Sequence, residues 1–405
     1  MKKILPILIL ALLVSACSQP VEVPPTPTAT KAPTATATAT PTSTPTETPT
    51  ATPTPTPEPE IVFPPDFPCF LVFSQFTNTG MDIFLGECNT EEIRAVRVTE
   101  LDGIGMMPSI SPDKLNVVYT FYNPVKDATD YWTFKFFNMV EPDYAPYALT
   151  TNDNAGGEIS WSPDSRYFVY SAPQSNGAEQ DIYRIDLQTS QRVNLTSDST
   201  VWDAHPQWSP AGDQIVFVSD RKDQGKLLDN LWLMDKDGNN LRQLTETETW
   251  ENTYPSWSPD GTRIAFFRWG ILGEESEAKP GLVVIDVESG NEIVLDGDAA
   301  GISAQFAPVW SPDGEYIAYL ETSLYDSSNI LVIPASGGEP VQITNLDGRN
   351  YGISWSQDSE WIIFTHQTDS ELAVFIVTRE GFGLRQLFPG DGNAFGMWFP
   401  GDGGE

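Results

Sequence analysis

The chain has 405 residues, with 56 Asp and Glu against 22 Lys and Arg, a net charge of −34 and a pI near 4.1. A field of that sign repels phosphate backbones and anionic membrane surfaces, so the sequence argues against nucleic-acid binding, and solubility alone accounts for the acidity. The 12 Trp and 21 Phe promise a substantial core, whereas the 34 Pro are spread unevenly, and that unevenness sets the first boundary.

Residues 1–16 carry Lys2 and Lys3, an apolar run from Ile4 to Val14, and then small residues. This order predicts a secretory signal sequence, too short for a spanning helix. It ends Val14-Ser15-Ala16-Cys17, which resembles the bacterial lipobox. The resemblance implies cleavage before Cys17 and a lipid anchor on its thiol; the alternative is a signal peptide that merely contains a cysteine. Residues 17–60 continue almost wholly in Pro, Thr, Ala and Ser, as in PTATATATPTSTPTETPTATPTPTPEPE. Such a composition builds no core. Alternating Pro and Thr favours polyproline II, and the fully extended stretch reaches on the order of 100 Å. The expected organisation is therefore a signal peptide (1–16), a lipidated cysteine with a disordered stalk (17–60), and a folded domain (61–405).

Cys69 and Cys88 flank CFLVFSQFTNTGMDIFLGEC symmetrically about Asn78-Thr79. A hairpin turning there sets them across two strands. In an exported protein a disulfide would contribute about 3 kcal/mol for a loop of this size; two reduced, buried thiols are the alternative.

From Ile61 one stretch recurs, clearest as YPSWSPDGTRIAFFRW from Tyr254. A short strand ends in Trp257, Ser-Pro-Asp-Gly turns the chain, and an apolar strand follows. That strand is apolar on both faces and requires cover on both. The Trp-equivalent positions are Ile110, Trp161, Trp208, Trp257, Trp310, Trp355 and Trp398, spaced 43 to 53 residues apart. A second marker, an aliphatic residue plus Thr, recurs at Thr99, Thr150, Thr196, Thr245 and Thr344, with weaker versions at Asp296 and Phe388. A third apolar run lies between the markers, as in NLWLMD from Asn230. Four strands per unit at this period describe a propeller blade. The expected fold is all-β: a seven-bladed β-propeller closed by the C-terminal strand at Trp398, which would pair with a first blade short of one strand and remove the open edges. Residues 61–63 are the rival for that place.

These residues resemble the TolB-like, WD-repeat-like propeller family, most closely in IVFVSDRKDQGKLLDNLWLMDKDGNNLRQLT from Ile215 and in the repeated Trp-Ser-Pro-Asp-Gly. The resemblance implies the fold across residues 61–405 and leaves function open, since the repeats are what build a blade. The family includes a periplasmic envelope protein, propeller domains of serine peptidases and some polysaccharide lyases. This chain has a stalk in place of the envelope protein's α/β domain. It lacks the Gly-x-Ser-x-Gly elbow of the peptidases. It holds only two histidines, His205 and His366, where the lyases rely on a histidine-rich metal site.

No catalytic constellation, metal site or cofactor is therefore expected. His205 reads as packing near the inner end of a strand, and His366 has no obvious partner. Asp235-Lys236-Asp237-Gly238-Asn239 reads as a tight turn, because the glutamate of a calcium loop is missing. The short turns are uniform, whereas the second-to-third strand loops and the loops between units are long and dissimilar, and divergent loops on a rigid scaffold are where binding usually lives. The candidate ligand-binding residues on that face are Trp202, Asp203, Trp250, Glu251, Trp269, Tyr325 and Tyr351, with blade packing as the alternative for each. The expected function is a monomeric, membrane-anchored extracytoplasmic module that binds an envelope protein, peptide or glycan. A metal-assisted polysaccharide lyase or hydrolase is the second reading.

Overall fold

A computed structural model describes residues 70–87, 95–123, 132–139, 146–150, 159–174, 179–197, 201–221, 228–247, 250–270, 281–297, 306–322, 327–369, 372–387 and 393–398. The signal sequence, Cys17, the stalk, Cys69, Cys88, Tyr325 and most of the long second-to-third strand loops lie outside them. Among the described residues all regular structure is β.

The first strands are β1 (Phe70–Thr77), β2 (Gly80–Glu87), β3 (Ala95–Arg97), β4 (Ile104–Ile110), β5 (Asn116–Tyr122), β6 (Thr133–Asn138) and β7 (Tyr147–Ala148). Five four-stranded antiparallel meanders follow. They are β8 (Ser160–Trp161), β9 (Tyr167–Pro173), β10 (Gln180–Asp186) and β11 (Gln191–Asn194); β12 (Asp203–Trp208), β13 (Gln214–Ser219), β14 (Asn230–Asp235) and β15 (Arg242–Gln243); β16 (Trp250–Trp257), β17 (Arg263–Gly270), β18 (Gly281–Asp286) and β19 (Glu292–Asp296); β20 (Val309–Trp310), β21 (Tyr316–Thr322), β22 (Ser328–Pro334) and β23 (Val341–Gln342); and β24 (Arg349–Trp355), β25 (Trp361–Gln367), β26 (Leu372–Thr378) and β27 (Arg385–Gln386). The last strand, β28 (Asn393–Trp398), pairs with β1 through Leu71↔Trp398 and Val72↔Met397. The eight-stranded sheet that results consists of β28-β1-β2-β3 and β4–β7, linked by the single parallel pair Met81↔Ile104.

The two-faced apolar strand has a direct cause. Ile264 and Phe266 pack on Val216, Val218, Leu231 and Leu233 of the preceding sheet, while Ala265 and Phe267 pack on Ile317, Tyr319 and Leu331 of the following one. Side chains alternate along a strand, so a strand sandwiched between two sheets must be apolar at every position. The same sharing joins the last meander to the first strands: Leu71 and Phe73 pack with Ile363, Val374 and Ile376.

The tryptophans are joints between sheets. The indole Nε1–H of Trp257 donates to the Gln207 carbonyl at 3.2 Å, that of Trp310 to Ser256 at 3.1 Å, and that of Trp355 to Val309 at 3.0 Å; Trp161 donates to Ser109 Oγ at 3.0 Å. In each case the acceptor is the residue before the corresponding Trp (or Ile110) of the preceding sheet. The turn after each joint is held from within. Ser258 Oγ–H donates to Asp260 Oδ1 at 2.6 Å, the Thr262 N–H donates to the same oxygen, and Gly261 takes a left-handed φ of 70°.

The threonine marker is a clasp. Thr99, Thr150, Thr196, Thr245 and Thr344 each accept, through Oγ1, a backbone N–H from the third strand of their own unit at 2.8–2.9 Å. The Thr99 and Thr245 hydroxyls then donate to Asp82 and Asn230, one residue ahead of the N–H they bind. A short outer strand is thereby fixed by its side chain where few ladder bonds exist.

Candidate functional site

The first strand of each unit touches the first strand of the next: β8 meets β12, β12 meets β16, β16 meets β20, β20 meets β24, β24 meets β28, and β28 meets β4. Together they form the inner wall. β4, β12, β16 and β24 each carry a register shift against their neighbour, between Met106/Ser109, Ala204/Gln207, Thr253/Ser256 and Tyr351/Ser354. The bulged residues are Met107, His205, Tyr254 and Gly352, each three before the joint position, with φ of 52°, 52°, 55° and 66°. Pro follows the first three, and a residue before Pro is sterically barred from the right-handed helical region. Left-handed backbone costs an L-residue about 1–2 kcal/mol, and only Gly352 escapes that cost.

These residues are half-buried, whereas both chain neighbours of Met107, His205 and Tyr254 are buried. Ala307 takes the same position before Pro308 and is also half-buried. The bulge therefore turns one side chain per strand out of the packed wall. The His205 ring lies 4.0 Å from that of Tyr254 and 6.0 Å from that of Trp202. Burial pulls the His205 pKa down to about 4, so the imidazole is neutral near pH 7.

The predicted residues divide into two groups. Trp202 is half-buried, donates its N–H to Asp220 Oδ1 at 2.9 Å, and edges the core between its sheet and the next. Trp269, like Tyr254, packs on the core around Phe267, and it donates its indole N–H to Thr253 Oγ1 at 2.9 Å. Glu251 is half-buried opposite Trp269 in the β16–β17 ladder. Of these three, Trp202 joins the His205–Tyr254 ring contact, whereas Trp269 and Glu251 pair with each other on the β16–β19 sheet, Trp269 against the core on which Tyr254 also packs.

The other described residues are built into the framework. Asp203 is fully buried, and its two oxygens accept from the single Arg221 Nη2 at 3.0 and 2.8 Å. Burial pushes its carboxyl up from the ordinary range, partly offset by Arg221, Ser219 and Thr196. Asn252 and Asn350, likewise five residues before a joint Trp, are buried and reach Thr245 and Thr344. This position fastens the inner strand to the threonine clasp of the preceding sheet. Trp250 opens β16 and is 7 % exposed, not the exposed loop aromatic its surroundings in the sequence imply. Tyr351 is 9 % exposed, donates its hydroxyl to Gln367 at 3.0 Å and stacks on Phe306. Tyr325 and the three cysteines lie outside the described residues.

Sequence reasoning missed Tyr254 and Met107. Their signal was the residue–Pro pair three before the joint, where side-chain types differ and only the backbone repeats. The two histidines do not meet: His205 sits among rings, and His366 Nδ1–H donates to Asn350 Oδ1 at 2.8 Å. Asp235 turns inward, its Oδ1 accepting the N–H groups of Asp237 and Asn239. Among the described residues no group of three His, Cys, Asp or Glu is placed to hold a metal.

Residues 224–403 match the family described as the TolB beta propeller domain. The Tol-Pal system protein TolB of Francisella tularensis is 24% identical over 301 residues, covering 68% of this chain and 65% of that protein. The curated relatives are only partly spanned, from 30% to 65% of their length. Among solved structures, TolB from Acinetobacter baumannii superposes with a TM-score of 0.50 at 17% identity, over 83% of this chain and 68% of that one. An oligogalacturonate lyase in complex with manganese gives 0.59 at 17% identity, over 76% and 85%.

Proposed function

The chain carries a TolB-like β-propeller, and on that premise we propose that it is a membrane-anchored, extracytoplasmic binding module. It recognises an envelope protein, peptide or glycan through the long-loop face and the channel mouth there, and acts as a monomer. The observation that carries this reading is the row of bulged inner-strand residues. Backbone strain is kept at Met107, His205 and Tyr254, although glycine would relieve it, and strain of this kind collects at functional sites. The side chains held there, with Trp202 and Trp269, offer rings and a neutral imidazole to an uncharged ligand surface.

Seven blades in a closed ring belong to the same reading. The β28–β1 pairing and the core shared by Leu71, Phe73 and Val374 support it. The lipid on Cys17 and the Pro/Thr stalk would lift the domain off the membrane. A Cys69–Cys88 disulfide is supported by the Phe70↔Glu87 pair, one residue inside both cysteines. The lyase neighbour, at 17% identity, speaks for the fold alone.

The test is a photo-crosslinking residue at position 202 in the cell envelope. Adducts to protein or glycan are expected, and they should disappear when His205 and Tyr254 are both changed to Gly. Absence of any adduct, or adducts unchanged in the double variant, rejects this face.

A further inference from the structure

We propose that the outer edge of β19 takes on a further strand, supplied by an extended basic segment of another polypeptide with aliphatic residues at alternate positions. β19 is the last strand of its sheet, and among the described residues no strand lies against its outer side. It runs for five residues, whereas β7, β15, β23 and β27 have two, β3 has three and β11 four. A sheet edge carries a row of backbone groups open to pairing, and proteins ordinarily blunt it with short strands, proline or charge.

The open groups of β19 follow from its ladder. The Asn291 carbonyl accepts the Asp286 N–H at 2.9 Å, so Asn291 turns its backbone toward β18. The pairing then runs without a shift through Ile285↔Glu292, Val284↔Ile293 and Val283↔Val294. Inward and outward pairs alternate along an antiparallel strand, so Glu292 and Val294 direct their N–H and C=O away from the sheet. Each offers one donor and one acceptor to an added strand, the arrangement used in β-augmentation.

The other outer strands close this edge with their own residues. At the position of Val294, two before the threonine marker or its substitute, stand Arg97, Asn194, Gln243, Gln342 and Gln386. Gln243 and Gln342 fold back to donate to the carbonyls of Thr245 and Thr344 at 2.9 and 2.7 Å, and Arg97 to that of Thr99 at 2.7 Å. At the position of Glu292, four before the marker, Pro146 and Pro340 remove the N–H altogether. β19 has neither device. Ile293 and Val294 are 56 % and 51 % exposed and point to opposite faces. Its two acids do not guard the edge: an Arg268 fork neutralises Glu292 through two contacts of 2.8 Å, and Asp296 accepts the Tyr319 hydroxyl at 2.6 Å.

Charge selects the occupant. Residues 281–298 hold Asp286, Glu288, Glu292, Asp296 and Asp298 and no Lys or Arg. The arginines that approach this hairpin are engaged, Arg268 with Glu292, Arg242 with the Val287 carbonyl at 3.3 Å and Arg263 over the Trp310 ring at 4.8 Å. A second copy would bring its own net charge of −34 against this one. The exposed edge from Glu292 to Val294 is also far smaller than the ~1,600 Å² that a stable interface buries. A linear basic segment meets both conditions, its aliphatic side chains lying across from Ile293 and Val294 as cross-strand pairs. This edge is separate from the inner wall, since β19 and β16 are the opposite ends of one sheet.

The experiment titrates the ¹⁵N-labelled full chain with the acetylated and amidated peptide Lys-Val-Lys-Val-Lys-Val-Lys. The Glu292 and Val294 amides should become protected from solvent exchange, whereas the Ile293 amide, already turned to β18, changes least. The same peptide N-methylated at every residue keeps its charge and side chains but lacks N–H groups, and Glu-Val-Glu-Val-Glu-Val-Glu reverses the charge; neither should protect these amides. Glu292→Pro and Val294→Gln introduce residues that equivalent edges already hold, so the fold accepts them. Fluorescence anisotropy of a labelled peptide should show binding at least about tenfold weaker for Glu292→Pro and at least about threefold weaker for Val294→Gln. Glu292→Gln, which loses the charge but keeps the N–H, should stay within about threefold of the parent. The proposal is overturned if the N-methylated or acidic peptide binds as tightly as the basic one, if protection misses Glu292 and Val294, or if Glu292→Pro and Val294→Gln both bind like the parent. Protection that grows with the concentration of the chain alone also overturns it, because a second copy then occupies the edge.

Discussion

Trp257 and Tyr254 stand three residues apart on β16, yet different things repeat at the two places. At Trp257 the side chain recurs from unit to unit, because the indole must both fill the seam and donate to a carbonyl of the preceding sheet. At Tyr254 only the backbone recurs: Met107, His205, Tyr254 and Gly352 share a left-handed φ and nothing else. Where the side chain repeats, it holds the fold together. Where the conformation repeats and the side chain varies, the scaffold presents a position whose content is free to be set by something outside the core.

That contrast is broken first at the joint. Trp257→Ala removes a residue that is 9 % exposed and packed on Val216, Leu231 and Phe266. Large-to-small changes of this kind cost about 3–5 kcal/mol, so urea unfolding should show a loss of unfolding free energy of that size. A loss below about 1 kcal/mol would mean that the seam does not depend on the indole.

The next effect is a pH dependence at the inner wall. Burial holds the His205 pKa near 4, below its ordinary 6.5. Between those values the unfolded chain takes up a proton that the folded chain does not, so stability rises with pH through this window and is complete above 6.5. The ceiling is roughly 3 kcal/mol for full burial, and partial exposure of the ring lowers it. Urea midpoints for the parent should climb across this window, and those for His205→Gln should climb less. Parallel profiles would place the imidazole in water.

Smaller again is the clasp. Thr245→Val keeps the shape but strands the buried Leu231 N–H and takes a partner from Asn230 and Asn252. About 1–2 kcal/mol is expected, with the Leu231 amide exchanging faster with solvent. Unchanged exchange at Leu231 would show that the outer strand is held by packing alone.

How much of this could be read from the chain follows the same division. The joint, the turn and the threonine marker are side-chain repeats, so spacing alone located them, and the two-faced strand announced that sheets lie on both sides. The bulge was hidden because Met, His, Tyr and Gly share no side-chain property, and the Pro that follows the first three was the one sign of it. Trp250 and Tyr351 misled for a different reason. They follow polar, turn-like residues, but β16 and β24 begin early enough to draw them under cover. The open edge at Ile293 and Val294 could be seen only once the ladder had fixed which backbone groups face outward.

The smallest expected effect is the most informative about the candidate site. Tyr254→Gly removes a half-buried ring from beside His205 and from the core around Phe267, which costs packing, and relieves the left-handed strain, which returns about 1–2 kcal/mol. Glycine also raises the entropy of the unfolded chain, a cost of up to about 1 kcal/mol. The terms oppose, so the unfolding free energy should change by less than about 1 kcal/mol while crosslinking from position 202 falls away. If Tyr254 were only filler, the balance would tip to a clear loss of stability with crosslinking intact. Gly352 makes the comparison internal to the chain: the fold already accepts glycine at this position, so a ring at Tyr254 that survives at the expense of strain, and whose removal the fold tolerates, is there for contact with something other than the core.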